Sequence, residues 1–117
     1  MSTFEIGRAA EQRAAEYLAL SGYQILDRNW RNRWCELDLV ARHGPQIHFV
    51  EVKYRATVRY GHAAEYISYD KSSRLIRAAL AWCQAHHYTG PYQIDVVSVE
   101  GAAIKPTITH LENAVSA

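Results

Sequence analysis

The spacing of apolar and polar residues along the chain predicts seven elements of secondary structure. Apolar residues three and four positions apart predict helices from about Phe4 to Leu20 and from about Asp70 to His86. Runs rich in β-branched and aromatic residues predict five strands, at about Tyr23 to Trp30, Glu36 to Ala41, Ile47 to Tyr54, Tyr92 to Val99 and Thr107 to Leu111. The order α-β-β-β-α-β-β predicts one α/β domain over residues 1–117, with a mixed β-sheet flanked by helices.

Two of these strands carry acidic residues and are joined by a tight turn at Gly44-Pro45. Because side chains alternate across a strand, Glu36 and Asp38 share one face, and Glu51 and Lys53 share one face of the next strand. If the turn residues form the loop, Asp38 lies opposite Glu51, and Glu36 lies opposite Lys53. A register shift of two would keep the acids on one face, whereas a shift of one would separate them.

Opposed carboxylates between apolar strand residues repel each other, so a compensating charge is needed. Lys53 supplies part of it, and a divalent cation would supply the rest, since Mg²⁺ prefers oxygen ligands. A metal beside a lysine can polarise a phosphate, activate water and stabilise developing charge, which is the outline of a phosphodiester-cleaving centre. The alternative interpretation is that Asp38 and Glu51 are ordinary exposed charges on a hairpin.

Composition narrows the class of protein. Hydrophobic residues make up 49% of the chain, and no apolar run approaches the ~18 residues of a membrane span, so we expect a globular protein without one. The N-terminal residues lack the pattern of a signal peptide, which predicts a cytoplasmic location. Cys35 and Cys83 lack the spacing of a zinc site and are expected to be free thiols. His43, His62 and His110 also lack a spacing typical of metal ligands.

The formal net charge is only +1, but the basic residues are concentrated in the middle of the chain. Ten basic and five acidic residues lie between Arg28 and Arg77, so this span carries a formal charge of +5. Guanidinium groups bind phosphate oxygens in pairs, which favours a DNA-binding surface, although a solvated surface is the alternative. Phosphate contacts do not distinguish sequences, so we expect selectivity for DNA shape. The candidate DNA-binding residues are Arg31, Arg33, Arg55, Arg59, Lys71, Arg74 and Arg77.

A set of short motifs extends over nearly the whole chain: Gly7, Glu11, Gly22-Tyr23, Arg28-Asn29-Trp30-Arg31, Glu36-Leu37-Asp38-Leu39-Val40, Phe49-Val50-Glu51-Val52-Lys53-Tyr54-Arg55, Gly61, Lys71, Asp95-Val96-Val97 and Asn113-Ala114. With these motifs the sequence resembles the bacterial YraN family, whose fold is similar to that of archaeal Holliday-junction resolvases and the wider PD-(D/E)XK nucleases. Members of this family usually have glycine where this chain has Cys35. Glu36 matches a family position whose role is open.

The resemblance implies a restriction-endonuclease-like fold and an endonuclease, dependent on Mg²⁺ or Mn²⁺, that acts on branched or broken DNA. It implies that Asp38, Glu51 and Lys53 are catalytic, and that the metal ligands are Asp38, Glu51, Glu11 and the Val52 carbonyl. For Glu11, the alternative is an exposed residue that pairs with an arginine. Resolvase-like relatives act as two-fold dimers, which implies a homodimer. The competing hypothesis is a non-catalytic DNA-binding or partner-binding protein that retains the fold.

Overall fold

A computed structural model describes residues 2–56, 69–101 and 104–115. Within these ranges the order of helices and strands is the predicted one, which confirms the α/β class and the mixed sheet. The elements are α1 (Thr3–Leu20), β1 (Gln24–Arg31), β2 (Glu36–His43), β3 (Gln46–Arg55), α2 (Tyr69–Ala85), β4 (Tyr92–Glu100) and β5 (Thr107–Val115).

The five strands form one sheet in which their order in space is their order along the chain. β3 and β4 are parallel, whereas the other neighbouring pairs are antiparallel. A parallel pair cannot be joined by a tight turn and needs a crossover connection, and the connection from β3 to β4 contains α2. The acidic strands β2 and β3 therefore lie towards the middle of the sheet, where both faces can be covered.

The two helices cover opposite faces of the sheet and form separate apolar clusters with it. α1 contributes Ala10, Ala14, Ala15 and Leu18 to one cluster, and α2 contributes Leu75, Ala78, Ala79, Trp82 and Cys83 to the other. Each helix thus buries one face and leaves the other in solvent, which is the pattern that its apolar spacing predicts. Neither of these described helices has an apolar stretch long enough to cross a membrane.

The last strand is longer than predicted, since β5 continues to Val115 rather than ending near Leu111. Its pairing with β4 is irregular: Val96 pairs with Leu111, but Ile94 pairs with Val115. The intervening segment bulges out, with Asn113 at a φ of 51° in the left-handed region. The bulge breaks the alternation of side chains, so the apolar pattern of the sequence ends before the strand does.

Candidate active site

The hairpin of β2 and β3 has the predicted register. Its paired positions run from Leu39 opposite Val50 to His43 opposite Gln46, around a turn in which Gly44 has a φ of 60°. Glycine adopts this backbone conformation without the strain that a Cβ atom would cause. The turn thereby fixes which residues of the two strands meet.

The regular pairing of β2 with β3 ends one position before Asp38 and Glu51. At this point the side chains of β2 no longer alternate regularly between the two faces of the sheet. Leu37 packs in the α2 cluster and Leu39 in the α1 cluster, although residues two apart on a regular strand share a face. Asp38 lies at this break, and its Oδ2 accepts a hydrogen bond from the Val52 backbone N–H at 2.8 Å. A side chain of β2 thus takes the place of the backbone ladder at the end of the hairpin.

Asp38 and Glu51 are neighbours in a poorly solvated environment. Glu51 is only 7% exposed, and Asp38 is half-buried. Burial, a hydrogen bond to Glu51 and the charge of Glu51 together raise the pKa of Asp38 from 3.8 to about 8, with a smaller contribution from Glu11 and an opposing one from the Val52 N–H. At neutral pH the metal-free protein therefore keeps a proton on Asp38, which removes one of the two negative charges.

Lys71 meets the remaining charge. Its Nζ lies 2.5 Å from Glu51 Oε2, an ion pair that joins the first turn of α2 to β3. The sequence predicts Lys71 as a DNA-binding residue, and the structure places it in contact with the acidic cluster. This contact spans residues far apart in the chain, so no local pattern indicated it.

Glu11 completes the acidic cluster from the side of α1. It is half-buried rather than exposed, and its Oε1 is buried without a hydrogen-bond partner among the described residues. Unpaired buried carboxylate oxygens are costly, and an external cation is a common remedy. The donor set of carboxylate oxygens suits Mg²⁺ or Mn²⁺, so the residues present fit the predicted ion.

These residues line one cleft of about 300 Å³, which we call the carboxylate cleft. Its lining brings together all the predicted catalytic residues and metal ligands, from α1, both acidic strands and α2. The lining residues are Gly7, Ala10, Glu11, Glu36, Asp38, Glu51, Val52, Lys53, Tyr54 and Lys71. Lys53 is half-buried and lines this cleft together with the acids.

A larger cleft of about 730 Å³, the arginine groove, adjoins the first and shares Glu36, Glu51 and Lys71 with it. Four of the predicted DNA-binding arginines line this groove: Arg31, Arg33, Arg74 and Arg77. Arg55 lies outside the described lining of the groove, and Arg59 falls outside the described residues. Most of the predicted DNA-binding residues therefore lie in a groove next to the acidic residues.

One aromatic residue of the groove, Trp34, carries no sequence signal that distinguishes it from the other tryptophans. Trp34 lies on the turn between β1 and β2 and is 82% exposed, although tryptophan normally buries most of its surface. The turn is ordered, because Asn32 Oδ1 accepts hydrogen bonds from the backbone N–H groups of Trp34 and Cys35. The Arg33 guanidinium carbon lies 5.6 Å from the Trp34 ring centroid, so aromatic and cationic groups are presented together.

Comparison with known proteins gives a family. The model of the family described as "Uncharacterised protein family UPF0102" matches residues 10–99, which include every predicted catalytic residue. A UPF0102 protein of Leifsonia xyli is 42% identical over 92% of both chains, and one of Myxococcus xanthus is 37% identical over 97% of this chain and 90% of its own. A third, from Clavibacter michiganensis, is 47% identical over 81% of both chains.

Replacing Asp38 by Asn should stabilise the metal-free protein at neutral pH. The folded pKa of about 8 exceeds the usual 3.8, so stability from the bound proton is complete below about pH 4 and is lost as the pH rises towards 8. Relative to Asp38→Asn, the wild type should lose at least about 1.4 kcal/mol over this range, the equivalent of one pKa unit. Urea unfolding in EDTA measures this difference, with the exposed Glu16→Gln as control. Parallel pH profiles for wild type and Asp38→Asn would contradict the assignment.

Proposed function

The chain belongs to the UPF0102 family of YraN-like proteins, and we propose that it is a divalent-cation-dependent endonuclease that cleaves phosphodiester bonds in branched or broken DNA. The observation that carries this proposal is the convergence of four acidic residues, three of them predicted metal ligands, on a cleft that shares a wall with the arginine groove. A cation-binding centre and a phosphate-binding surface are thus adjacent, as hydrolysis of a phosphodiester requires. The proposed likeness to PD-(D/E)XK nucleases supports the same assignment.

The positive charge in the carboxylate cleft comes from a proton and from ammonium groups, not from a divalent ion. Asp38 is held neutral by a proton, Glu51 by Lys71, and Glu11 Oε1 has no described partner. A bound Mg²⁺ or Mn²⁺ would supply charge neutralisation for the phosphate and lower the pKa of a water molecule. Asp38, Glu51, Glu11 and the Val52 carbonyl would hold it.

The two lysines have different parts in this proposal. Lys53 lies on the same strand as Glu51, in the wall of the carboxylate cleft, where it can orient the attacking water or stabilise charge that develops on the phosphate. Lys71 lines both clefts, so its ammonium group can leave Glu51 for a phosphate oxygen in the arginine groove. We propose that Lys71 neutralises Glu51 in the empty site and contacts DNA in the loaded one.

The arginine groove accounts for shape selectivity. Arg31, Arg33, Arg74 and Arg77 can position the DNA backbone on either side of the shared wall without recognising its sequence. Trp34 offers an exposed ring at the rim, on which a base can stack only if it is unpaired. Duplex DNA with all of its bases paired would leave that ring unused, so junctions, flaps and ends are the expected substrates.

The second candidate function is a DNA-binding or partner-binding protein without catalysis. The observation that favours it is the Lys71–Glu51 ion pair, which balances the charge of the most buried acid of the carboxylate cleft without any metal. The buried unpaired oxygen of Glu11 argues the other way, because a retired site gains nothing from retaining it. The first experiment below separates the two functions.

Replacing Glu51 by Gln should abolish metal-dependent cleavage. The substitution keeps the shape of the side chain but removes the charge that a divalent ion needs, so we expect a loss of at least about 100-fold, the effect of removing one electrostatic contact to a reacting centre. The assay uses labelled duplex, single-stranded, flap and four-way-junction DNA with Mg²⁺, Mn²⁺ or EDTA. Glu16→Gln, the same change at an exposed position of α1, should cleave as the wild type does. Cleavage in EDTA, or by Glu51→Gln, would refute the site; binding without cleavage by wild type would favour the second function.

Replacing Arg74 and Arg77 together by Gln should reduce the salt dependence of DNA binding. The slope of log K against log salt concentration is negative, and each phosphate contact that is lost reduces its magnitude by about 0.9. We therefore expect its magnitude to decrease by about 1–2. Fluorescence anisotropy at several salt concentrations measures the slope. The matched control replaces Arg8 and Arg42, which lie outside the groove, and should leave the slope nearly unchanged. Equal slopes for the two double variants would exclude the groove as the binding surface.

Replacing Trp34 by Ala should weaken binding to DNA with unpaired bases more than binding to blunt duplex. Stacking of one base on an aromatic ring contributes about 1–3 kcal/mol, and a fully paired duplex does not gain it. Trp34→Phe retains a flat ring and should restore most of the preference. The preference is measured as the ratio of the dissociation constants of a blunt and a forked duplex, determined without divalent ions. An unchanged ratio in Trp34→Ala would rule out stacking on this residue.

A further inference from the structure

A second polar cluster lies at the other end of the region covered by α1, where three strands each contribute one side chain. His48 of β3, Asp95 of β4 and His110 of β5 bring two imidazole nitrogens and a carboxylate oxygen within 4.8 Å of one another. Asp95 is fully buried, and His48 is nearly so. These residues play no part in the proposed nuclease centre, so their presence in the interior calls for a separate explanation.

Both imidazoles contact the same carboxylate oxygen. His48 Nδ1 and His110 Nε2 each lie 2.7 Å from Asp95 Oδ2. The other oxygen, Oδ1, accepts hydrogen bonds from the Asn113 backbone N–H and from Gln93 Nε2, both at 2.9 Å. Two donors therefore orient the carboxylate through one oxygen, while the second oxygen lies within hydrogen-bonding distance of both ring nitrogens.

The backbone bulge of β5 is what creates this arrangement. It places the Asn113 N–H on Asp95, and the left-handed φ of Asn113 is a conformation that non-glycine residues seldom adopt. Bulges that reorient side chains are frequent beside functional sites. A metal-ligating carboxylate is typically held by such outer hydrogen bonds, which fix its orientation before the ion binds.

We propose that His48, Asp95 and His110 form a binding site for a zinc-class divalent ion. Two imidazoles and one carboxylate are a ligand set that zinc accepts, with bonds of ~2.0–2.2 Å, and a water molecule can complete the tetrahedron. Imidazole nitrogen discriminates against Mg²⁺, which prefers oxygen ligands, so this site and the carboxylate cleft would select different ions. The inference does not depend on the proposed nuclease activity.

Binding requires each imidazole to present the nitrogen that faces Asp95 without its proton. An ionised Asp95 can only accept hydrogen bonds, so in the metal-free protein both ring nitrogens that face it carry a proton. An imidazole that carries its proton on the other ring nitrogen would present a lone pair to the ion at this point. The His110 side chain is 11% exposed, so an ion can enter beside it.

The surroundings suit a structural ion that joins β3, β4 and β5. The Tyr23 ring, just after α1, packs edge-on against His48 and His110, with centroids 4.9 and 5.6 Å away. The His43 ring in turn stacks on Tyr23, with ring centroids 4.5 Å apart. Aromatic packing of this kind limits solvent access and holds the imidazole rings in place, so the bound ion should exchange slowly and raise thermal stability.

Titration calorimetry with Zn²⁺, in excess Mg²⁺ to occupy the carboxylate cleft, tests the proposal. Wild type and Glu51→Gln should bind one Zn²⁺ with equal affinity, and both should unfold at a higher temperature when loaded. His110→Gln, which keeps a hydrogen-bonding group at the more exposed ligand, should lose more than the roughly 10–100-fold that loss of an outer-sphere partner costs. His87→Asn, a change at an exposed histidine with a left-handed φ, is the matched control and should bind as wild type does.

A crystal of the wild-type protein soaked in Zn²⁺ gives a readout that needs no variant to fold. An anomalous peak between His48 Nδ1, His110 Nε2 and Asp95 Oδ2 would support the proposal. The absence of a peak at that point, or equal Zn²⁺ affinity in wild type and His110→Gln, would overturn it and leave the cluster as a hydrogen-bonded link between strands. Loss of Zn²⁺ binding in Glu51→Gln would instead assign the ion to the carboxylate cleft.

Discussion

The contact between the Asp38 and Glu51 carboxyl groups constrains much of the surrounding structure. Two acids on neighbouring strands of a covered sheet cannot both keep their charge without compensation, because little water reaches them. Three interactions reduce the repulsion between them. Asp38 holds a proton, Asp38 accepts a hydrogen bond from the Val52 N–H, and the Lys71 ammonium group pairs with Glu51. Of these three, the Lys71–Glu51 ion pair joins another element to the hairpin, since Lys71 lies at the start of α2.

The same constraint explains why the hairpin opens where it does. A regular ladder past Leu39 and Val50 would use the Val52 N–H or its neighbours for backbone bonds and leave the Asp38 carboxylate without a donor. The change of facing between Leu37 and Leu39 coincides with the end of the pairing between β2 and β3. The carboxylate cleft and the arginine groove meet at this opening, so the break in the sheet is also the place where a substrate could reach the acids.

The parts of the fold that could be predicted from the sequence depend on local periodicity. Alternation along β2 and β3, together with a turn at Gly44, was sufficient for the register that brings Asp38 beside Glu51. The contacts of Lys71 and of Asp95 could not be predicted in this way, because they join residues that are far apart in the sequence and leave no periodic pattern in it. The spacing of His110 along the chain does not indicate a metal site, yet a parallel strand pair and a bulge bring His110 and His48 to one aspartate. Trp34 was missed for a different reason: the sequence alone does not show which tryptophan remains exposed.

Asp38 and Asp95 occupy the interior of the same sheet, but the protein treats their charges in opposite ways. Burial raises the pKa of both. For Asp95 it is outweighed by hydrogen bonds from His110, the Asn113 N–H, His48 and Gln93, which hold the pKa below its usual value. Asp38 has the Val52 N–H as its opposing donor and faces another acid, so its pKa rises. A buried carboxylate with several hydrogen-bond donors is stable as an anion in the folded chain. A buried carboxylate with few donors and a second acid beside it is stabilised by any cation that displaces its proton. The shortage of donors at Asp38 therefore points to a ligand from outside the chain more directly than the presence of the acids does.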